Sequence, residues 1–187
     1  MVIPSNTRSR TLEDFEAFIA LPENEDRLWE LIDGEYVEKV PTEEHSLIAG
    51  NIFAALREFV RPRGLGRVLF EARHQVPEDN SNARLPDVEF TRTERLQPII
   101  TDGGIPQMPD LAIEVRSKNE TFKGLREKAL YYLANGTQEV WLVYPSKNQV
   151  EIWTDADPVK TLNLDDTING GDLIPGFALK VSEIFSE

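Results

Sequence analysis

Pro86-Asp87-Val88-Glu89-Phe90 and, after a polar loop, Pro109-Asp110-Leu111-Ala112-Ile113-Glu114-Val115-Arg116 decide the reading of the fold. Both read as strands. Strand alternation sends Val88 and Phe90 to one side, with Asp87 and Glu89 on the other. In the second stretch Leu111, Ile113 and Val115 face one way, and Ala112, Glu114 and Arg116 the other. If the two strands are neighbours, Asp87 and Glu114 converge on one side of a sheet. The helical stretch that follows packs through Phe122, Leu125, Ala129, Tyr132 and Leu133. Lys128 falls on the edge of that stripe, where a lysine must either snorkel to water or meet an acid.

Working outward, Glu139-Val140-Trp141-Leu142-Val143-Tyr144 is almost continuously apolar, as suits a strand covered on both faces. Gln149 to Trp153 looks like its antiparallel neighbour. Upstream, Val68 to Val76 and Arg84 to Thr91 read as strands, and Thr93 to Pro109 as a long loop. Thr42 to about Arg61 is the clearest helix, with Ile48, Ile52, Ala55, Leu56 and Phe59 at three- and four-residue steps. His45 lies one turn before that stripe, either as a first-turn cap or as a site residue. Leu28 to Ile32, Asp33-Gly34 and Glu35 to Val40 form a hairpin signal, because Asp-Gly suits the type I′ turn. Glu30 shares a strand face with Leu28 and Ile32. That is an unusual place for an acid unless it reaches solvent at an edge or serves a site.

At the N-terminus, Thr11-Leu12-Glu13-Asp14 is a capping box opening a short helix to about Leu21. Ser117-Lys118-Asn119-Glu120 reads as a second box, ahead of the Lys128 helix, and Asn135-Gly136 as its stop. Thr161 to Leu164 and Leu173 to Phe177 are shorter pieces, and Val181 to Phe185 a final turn of helix. The order predicts an α/β (α+β) domain, a mixed sheet flanked by helices. Residues 1–10 are read as a loose arm and 11–187 as one domain.

The chain has 187 residues, no cysteine and two histidines, with a formal net charge of −13. A single domain of this length buries about 70% of its unfolded surface. Thiolate and His-rich metal sites are excluded, so any metal ligands must be carboxylates and carbonyls, which suit Mg²⁺, Mn²⁺ or Ca²⁺. The first ten residues carry no signal peptide and no run is long enough to span a membrane, so the expected location is cytoplasmic. The acidic balance counts against a generic nucleic-acid binder, although a basic strip can sit on an acidic body.

Two adjacent carboxylates repel unless a cation lies between them. An Mg²⁺ on Asp87 and Glu114 would relieve that repulsion and lower the pKa of a bound water. Lys128 would orient the water and offset charge at a phosphate. The plainer alternatives are a structural salt bridge or a solvated helix face.

Beyond these readings, the chain from Thr11 to Phe185 resembles the Uma-type restriction-endonuclease-like family, also called domain of unknown function 820, within the PD-(D/E)XK nuclease superfamily. The matching segments are Trp29 to Glu35, Glu44-His45-Ser46, Pro86-Asp87-Val88, Ala112 to Val115, Leu125 to Lys128, Glu139 to Val143, Leu173 to Phe177 and Glu183 to Phe185. Their order along nearly the whole length makes the match specific. The resemblance implies a metal-dependent endonuclease cutting DNA phosphodiesters. Asp87 and Glu114 would be metal ligands, Val115 would offer its carbonyl, Glu30 would be an accessory acid, and Mg²⁺ or Mn²⁺ the cofactor. It places the catalytic lysine in the helix, at Lys128. Arg116 holds the position where the superfamily usually has lysine, and Gly124 one where relatives often have an acid. His45 and Arg116 are accessory candidates. The alternatives are a catalytically inactive nuclease fold acting as a binding or regulatory module, and a partner-binding domain whose acids only form salt bridges. A homodimer would gather Lys118, Lys123, Arg126, Arg92 and Arg95 around one DNA groove.

Overall fold

The computed structural model describes residues 9–155 and 159–187. Its first helix, α1 (Leu12–Ile19), opens on the Thr11 box. Asp14 N donates to Thr11 Oγ1 at 3.2 Å, and Thr11 N donates to the Asp14 carboxylate at 2.9 Å. Such a cap is worth about 0.5–2 kcal/mol. Residues 1–8 of the expected arm lie outside the described residues. Arg10, at its end, lies over the Tyr36 ring.

Strands β1 (Leu28–Ile32) and β2 (Glu35–Lys39) form the expected hairpin. Asp33 and Gly34 take φ of 50° and 79°, the positive values that a two-residue turn of this type requires. The turn sets the register: Ile32 faces Glu35, Glu30 faces Val37 and Leu28 faces Lys39. One hairpin face carries Leu31, packed with Phe15 and Ala83, while Glu30 lies on the other.

Helix α2 (Glu43–Arg63) runs through Pro62, slightly past the expected end near Arg61. The proline stands in the last turn. The helix closes on Gly64 in the left-handed region, with Leu65 N returning to Val60 O at 3.3 Å.

The main sheet has the order β3 (Gly66–Leu69), β4 (Val88–Arg92), β5 (Leu111–Val115), β6 (Glu139–Tyr144), β7 (Gln149–Trp153), β8 (Lys160–Leu162). Every pairing is antiparallel except β5 with β6. Helix α3 (Phe122–Ala134) is the crossover between those two parallel strands. A small pair, β9 (Thr167–Asn169) with β10 (Ala178–Lys180), and the short α4 (Val181–Ile184) complete the described chain.

The two faces of β5 sort the core as alternation demands. Leu111, Ile113 and Val115 pack with Ile48, Ile52, Leu56 and Val60 of α2. Ala112 packs with Leu125, Ala129, Tyr132 and Leu133 of α3. Fully burying each of these large side chains contributes about 1.5–3 kcal/mol. Glu114 projects from the α3 side of this packed strand.

Two strand expectations are shortened. The run Val68 to Val76 stays in the sheet only as far as Leu69. Glu71 then takes φ 50°, its N–H donates to Pro86 O at 3.1 Å, and the chain leaves the sheet. Its continuation forms isolated bridges at His74, with Arg84 and Ile105, both outside the sheet strands, and touches the sheet through His74 Nε2, 2.8 Å from Glu89 Oε1 of β4. The run from Arg84 becomes β4 only at Val88. Ahead of it, Ala83 bridges to Leu31 and ties the hairpin to the body of the domain. The box at Ser117 is also corrected. Thr121 is the cap of α3, accepting from Gly124 N at 3.0 Å, and Glu120 turns to Lys128 instead.

Candidate active site

The start of β4, the end of β5, the hairpin, the first turn of α2 and the middle of α3 meet at one open pocket of about 360 Å³. Glu30, Lys39, His45, Asp87, Glu114 and Lys128 all line it. Six positions on or next to strands and helices thus deliver titratable groups to one place.

Asp87 is the most tightly held. Its N–H donates to Ile113 O, and its Oδ2 accepts from Val115 N at 2.6 Å and lies 3.1 Å from His45 Nε2. Its Oδ1 accepts from Lys39 Nζ at 2.5 Å. Burial alone would raise the Asp87 pKa, but Lys39 and His45 overcome it and hold the carboxyl well below its usual range. His45 is pushed the other way. Burial opposes its charge, yet the Asp87 hydrogen bond and charge raise it above its ordinary value. The reading of His45 as merely a first-turn cap gives way to this side-chain contact.

Glu114 accepts from Tyr132 Oη at 2.8 Å and from Lys128 Nζ at 3.2 Å. Glu30 is fully buried, which overturns the reading of an edge-strand acid reaching water. Its Oε1 accepts from Leu85 N at 3.0 Å, and its Oε2 lies 3.1 Å from Lys128 Nζ. Lys128 also lies 3.4 Å from Glu120. Two ammonium groups therefore serve three buried carboxylates, and the shortfall falls on Glu114. Burial raises its pKa, the lysines lower it, Asp87 and Glu30 raise it again, and it is pushed up to about 7. Glu30 ends below its ordinary value because Lys128, Lys39 and the Leu85 N–H outweigh its burial. Both lysines stay charged. Burial opposes the charge of each, but the surrounding carboxylates raise both pKa values above the usual lysine range.

Lys39 was not singled out in the sequence, and it is central. Besides Asp87 it donates to Leu85 O at 2.6 Å and lies 4.0 Å from Glu114 Oε2. The signal was available: the Asp33-Gly34 turn fixes a register in which Lys39 shares the hairpin face of Glu30.

Arg116 is not brought to the pocket. Its guanidinium lies 4.3 Å from the Phe122 ring centroid and it is absent from the pocket wall. The expected basic groove is likewise dispersed within one chain. Arg92 and Arg95 pair with Asp110 at the far end of β4 and β5, while Lys118 lines the pocket. Arg126 pairs with Glu151, and Lys123 with Glu127.

The donor set suits a hard divalent cation. Asp87 and Glu114 bracket a positive charge, the Lys39 ammonium, and Val115 lines the same pocket. Glu30 Oε2, though close to Lys128, has no hydrogen-bond donor. Among the described residues no group of three or more His, Asp or Glu forms a metal cage.

Comparison with known proteins places this geometry in context. The family model Uma2, described as "Putative restriction endonuclease", matches residues 13–182. A crystal structure from Anabaena variabilis ATCC 29413, described as a putative nuclease belonging to DUF820, superposes with a TM-score of 0.78. It is 22% identical and the match covers 94% of this chain and 97% of that one, which establishes a shared fold. A DrdV–DNA complex matches with a TM-score of 0.35 and 11% identity, covering 65% of this chain and 12% of that one; nothing rests on it. No curated protein matches the chain.

Proposed function

Because the chain belongs to the Uma2 family, we propose that it is a metal-dependent endonuclease that hydrolyses DNA phosphodiester bonds at the pocket between Asp87, Glu114 and Lys128. The observation that carries this reading is the convergence of two buried carboxylates from neighbouring strands on one cation position, with a second buried lysine beside them.

Asp87, Glu114 and the Val115 carbonyl are the residues to hold Mg²⁺ or Mn²⁺. Such an ion, when bound, would supply Lewis-acid stabilisation of phosphate charge and a water of lowered pKa. The protein groups do the rest. Lys128, held charged by Glu114 and Glu30, presents an ammonium to the negative charge that develops on a phosphate oxygen. Glu30 fixes that ammonium from the hairpin, its Oε2 3.1 Å from Lys128 Nζ. Tyr132 orients the Glu114 carboxylate through its hydroxyl. His45 and Val115 N aim Asp87, and Lys39 neutralises the carboxylates while no divalent ion is present. A homodimer would bring two such pockets to one duplex and let both strands be cut together, which sedimentation of the protein tests. No helix among the described residues is long and apolar enough to cross a membrane.

The test is nicking of supercoiled plasmid in Mg²⁺ or Mn²⁺ by wild type and by Asp87→Ala. The reading requires metal-dependent cutting that the substitution abolishes. Equal cutting by the two proteins, or none by pure wild type, refutes it. The second reading, a non-catalytic binding module, is favoured by the lysines that already neutralise the acids. It requires that wild type binds neither Mg²⁺ nor Mn²⁺ in calorimetry.

A further inference from the structure

An aromatic ledge adjoins the acidic pocket and is used by nothing described so far. Phe70, directly after β3, is 60% exposed. Phe53 of α2 braces it edge-on, with centroids 5.2 Å apart and rings at 80°. The ledge forms one wall of a depression whose floor includes Ala49 and Gly50. A Cβ at Gly50 would meet nothing within 4 Å, so the floor is open. The depression shares His45, Glu71 and Asp87 with the acidic pocket. It is therefore continuous with the candidate site. Glu71 holds the ledge in place, with its positive φ and its N–H bonded to Pro86 O.

His45, Ala49, Phe53 and Arg57 recur every four residues along α2, so they form one stripe rising about 6 Å per step. At one end His45 touches Asp87. At the other, the Arg57 guanidinium lies 5.7 Å from the Phe53 ring centroid. Acid site, open aromatic face and exposed cation thus stand in line. A protein with a net charge of −13 gains little from a general electrostatic grip on phosphates. Stacking does not depend on that field and is available from any base.

We propose that Phe70, braced by Phe53, stacks on an unpaired nucleobase of the substrate strand next to the phosphate held at the acidic pocket, with Arg57 meeting the following phosphate. This rests on the nuclease reading for what lies in the pocket, and it narrows the substrate to nucleic acid with an unstacked base beside the cut. Neither the family match nor the fold match assigns these residues a role.

The probe is a short single-stranded DNA oligonucleotide carrying 2-aminopurine, whose fluorescence is quenched by stacking on an aromatic ring. Binding is measured with divalent ions chelated, so nothing is cut. Phe70→Ala is expected to weaken binding about tenfold and to abolish the quench, while Phe70→Trp retains both. Thermal melting of each variant checks that the fold is kept. Absence of binding by wild type, or equal binding and quenching by Phe70→Ala, overturns the proposal. So does a second copy of the chain as the occupant, seen as a change of sedimentation in Phe70→Ala with oligonucleotide binding unaltered. Plasmid nicking is followed in parallel. A wild type that quenches and binds but never cuts leaves the stacking site standing and removes the nuclease reading. A wild type that cuts, with Phe70→Ala equal in affinity and quench, does the reverse.

Discussion

Substituting Lys39 by methionine separates the roles of the two lysines. The side chain keeps its length and apolar stem and loses only the ammonium. That ammonium is 2.5 Å from Asp87 and 4.0 Å from Glu114, with the lysine side chain 12% exposed and that of Asp87 1% exposed. Removing one partner of a buried pair costs about 3–5 kcal/mol, because the other charge is left without compensation. For a domain of this size each kcal/mol moves the melting point by about 2–4 °C. Lys39→Met in chelator is therefore expected to melt about 6–20 °C below wild type. A divalent ion then has vacant carboxylates to bind. At a hundredfold excess over its Kd it restores about 2.7 kcal/mol. In wild type the same ion must first displace the ammonium, so its stabilisation is smaller. Differential scanning calorimetry of both proteins, in chelator and in Mn²⁺, reads all four values. A variant as stable as wild type in chelator refutes the claim that Lys39 neutralises the buried acids. Equal Mn²⁺ shifts in the two proteins refute the claim that ion and ammonium share one position.

Other consequences follow from the same cluster. Lys128→Met should lower cleavage at least about a hundredfold, the scale of losing one charge-stabilising donor, and single-turnover rates check it. In the absence of metal, stability should fall as pH rises. Glu114, pushed up to about 7 from an ordinary 4.5, keeps a proton when folded that the unfolded chain has lost, so its contribution is full below pH 4.5 and gone above about 7. Asp87 has the opposite sign, but its depressed pKa places its window below its ordinary 3.8. Melting points between about pH 5 and about pH 8 should therefore decline in wild type and decline less in Glu114→Gln, where the raised pKa values of His45, His74 and Glu89 still contribute a fall of the same sign. Arg116→Ala should cost about 0.5–2 kcal/mol of stability, the scale of a cation–π contact, and leave the plasmid nicking rate unchanged, because its head stacks on Phe122 outside the pocket.

The sequence disclosed the parts of this site that depend on local period. Alternation in β5 put Glu114 on the face that α3 covers. The helical stripe of α3 put Lys128 at its edge. The Asp33-Gly34 turn fixes the hairpin, and with it the shared face of Glu30 and Lys39. What stayed hidden depends on tertiary contacts. The segment from Phe70 to Val76 reads as a strand, yet it is steered by the positive φ of Glu71 and by single bridges to distant residues. Position in a strand located Arg116 but could not tell which way its long side chain turns, and the Phe122 ring decides that. Thr121 outcompeted Ser117 as the helix cap because Glu120, the acid expected to complete the earlier box, is drawn to Lys128. The partner of His45 could not be read from helical spacing, since Asp87 reaches it from another element.

The central claim is that Asp87 and Glu114 form a divalent metal site. Anomalous scattering from crystals soaked in Mn²⁺ tests it most directly. The expected result is one peak between the two carboxylates, with the Lys39 ammonium displaced from Asp87. A clean map with no peak there, and Lys39 still paired to Asp87, would contradict it and leave the cluster a network of salt bridges.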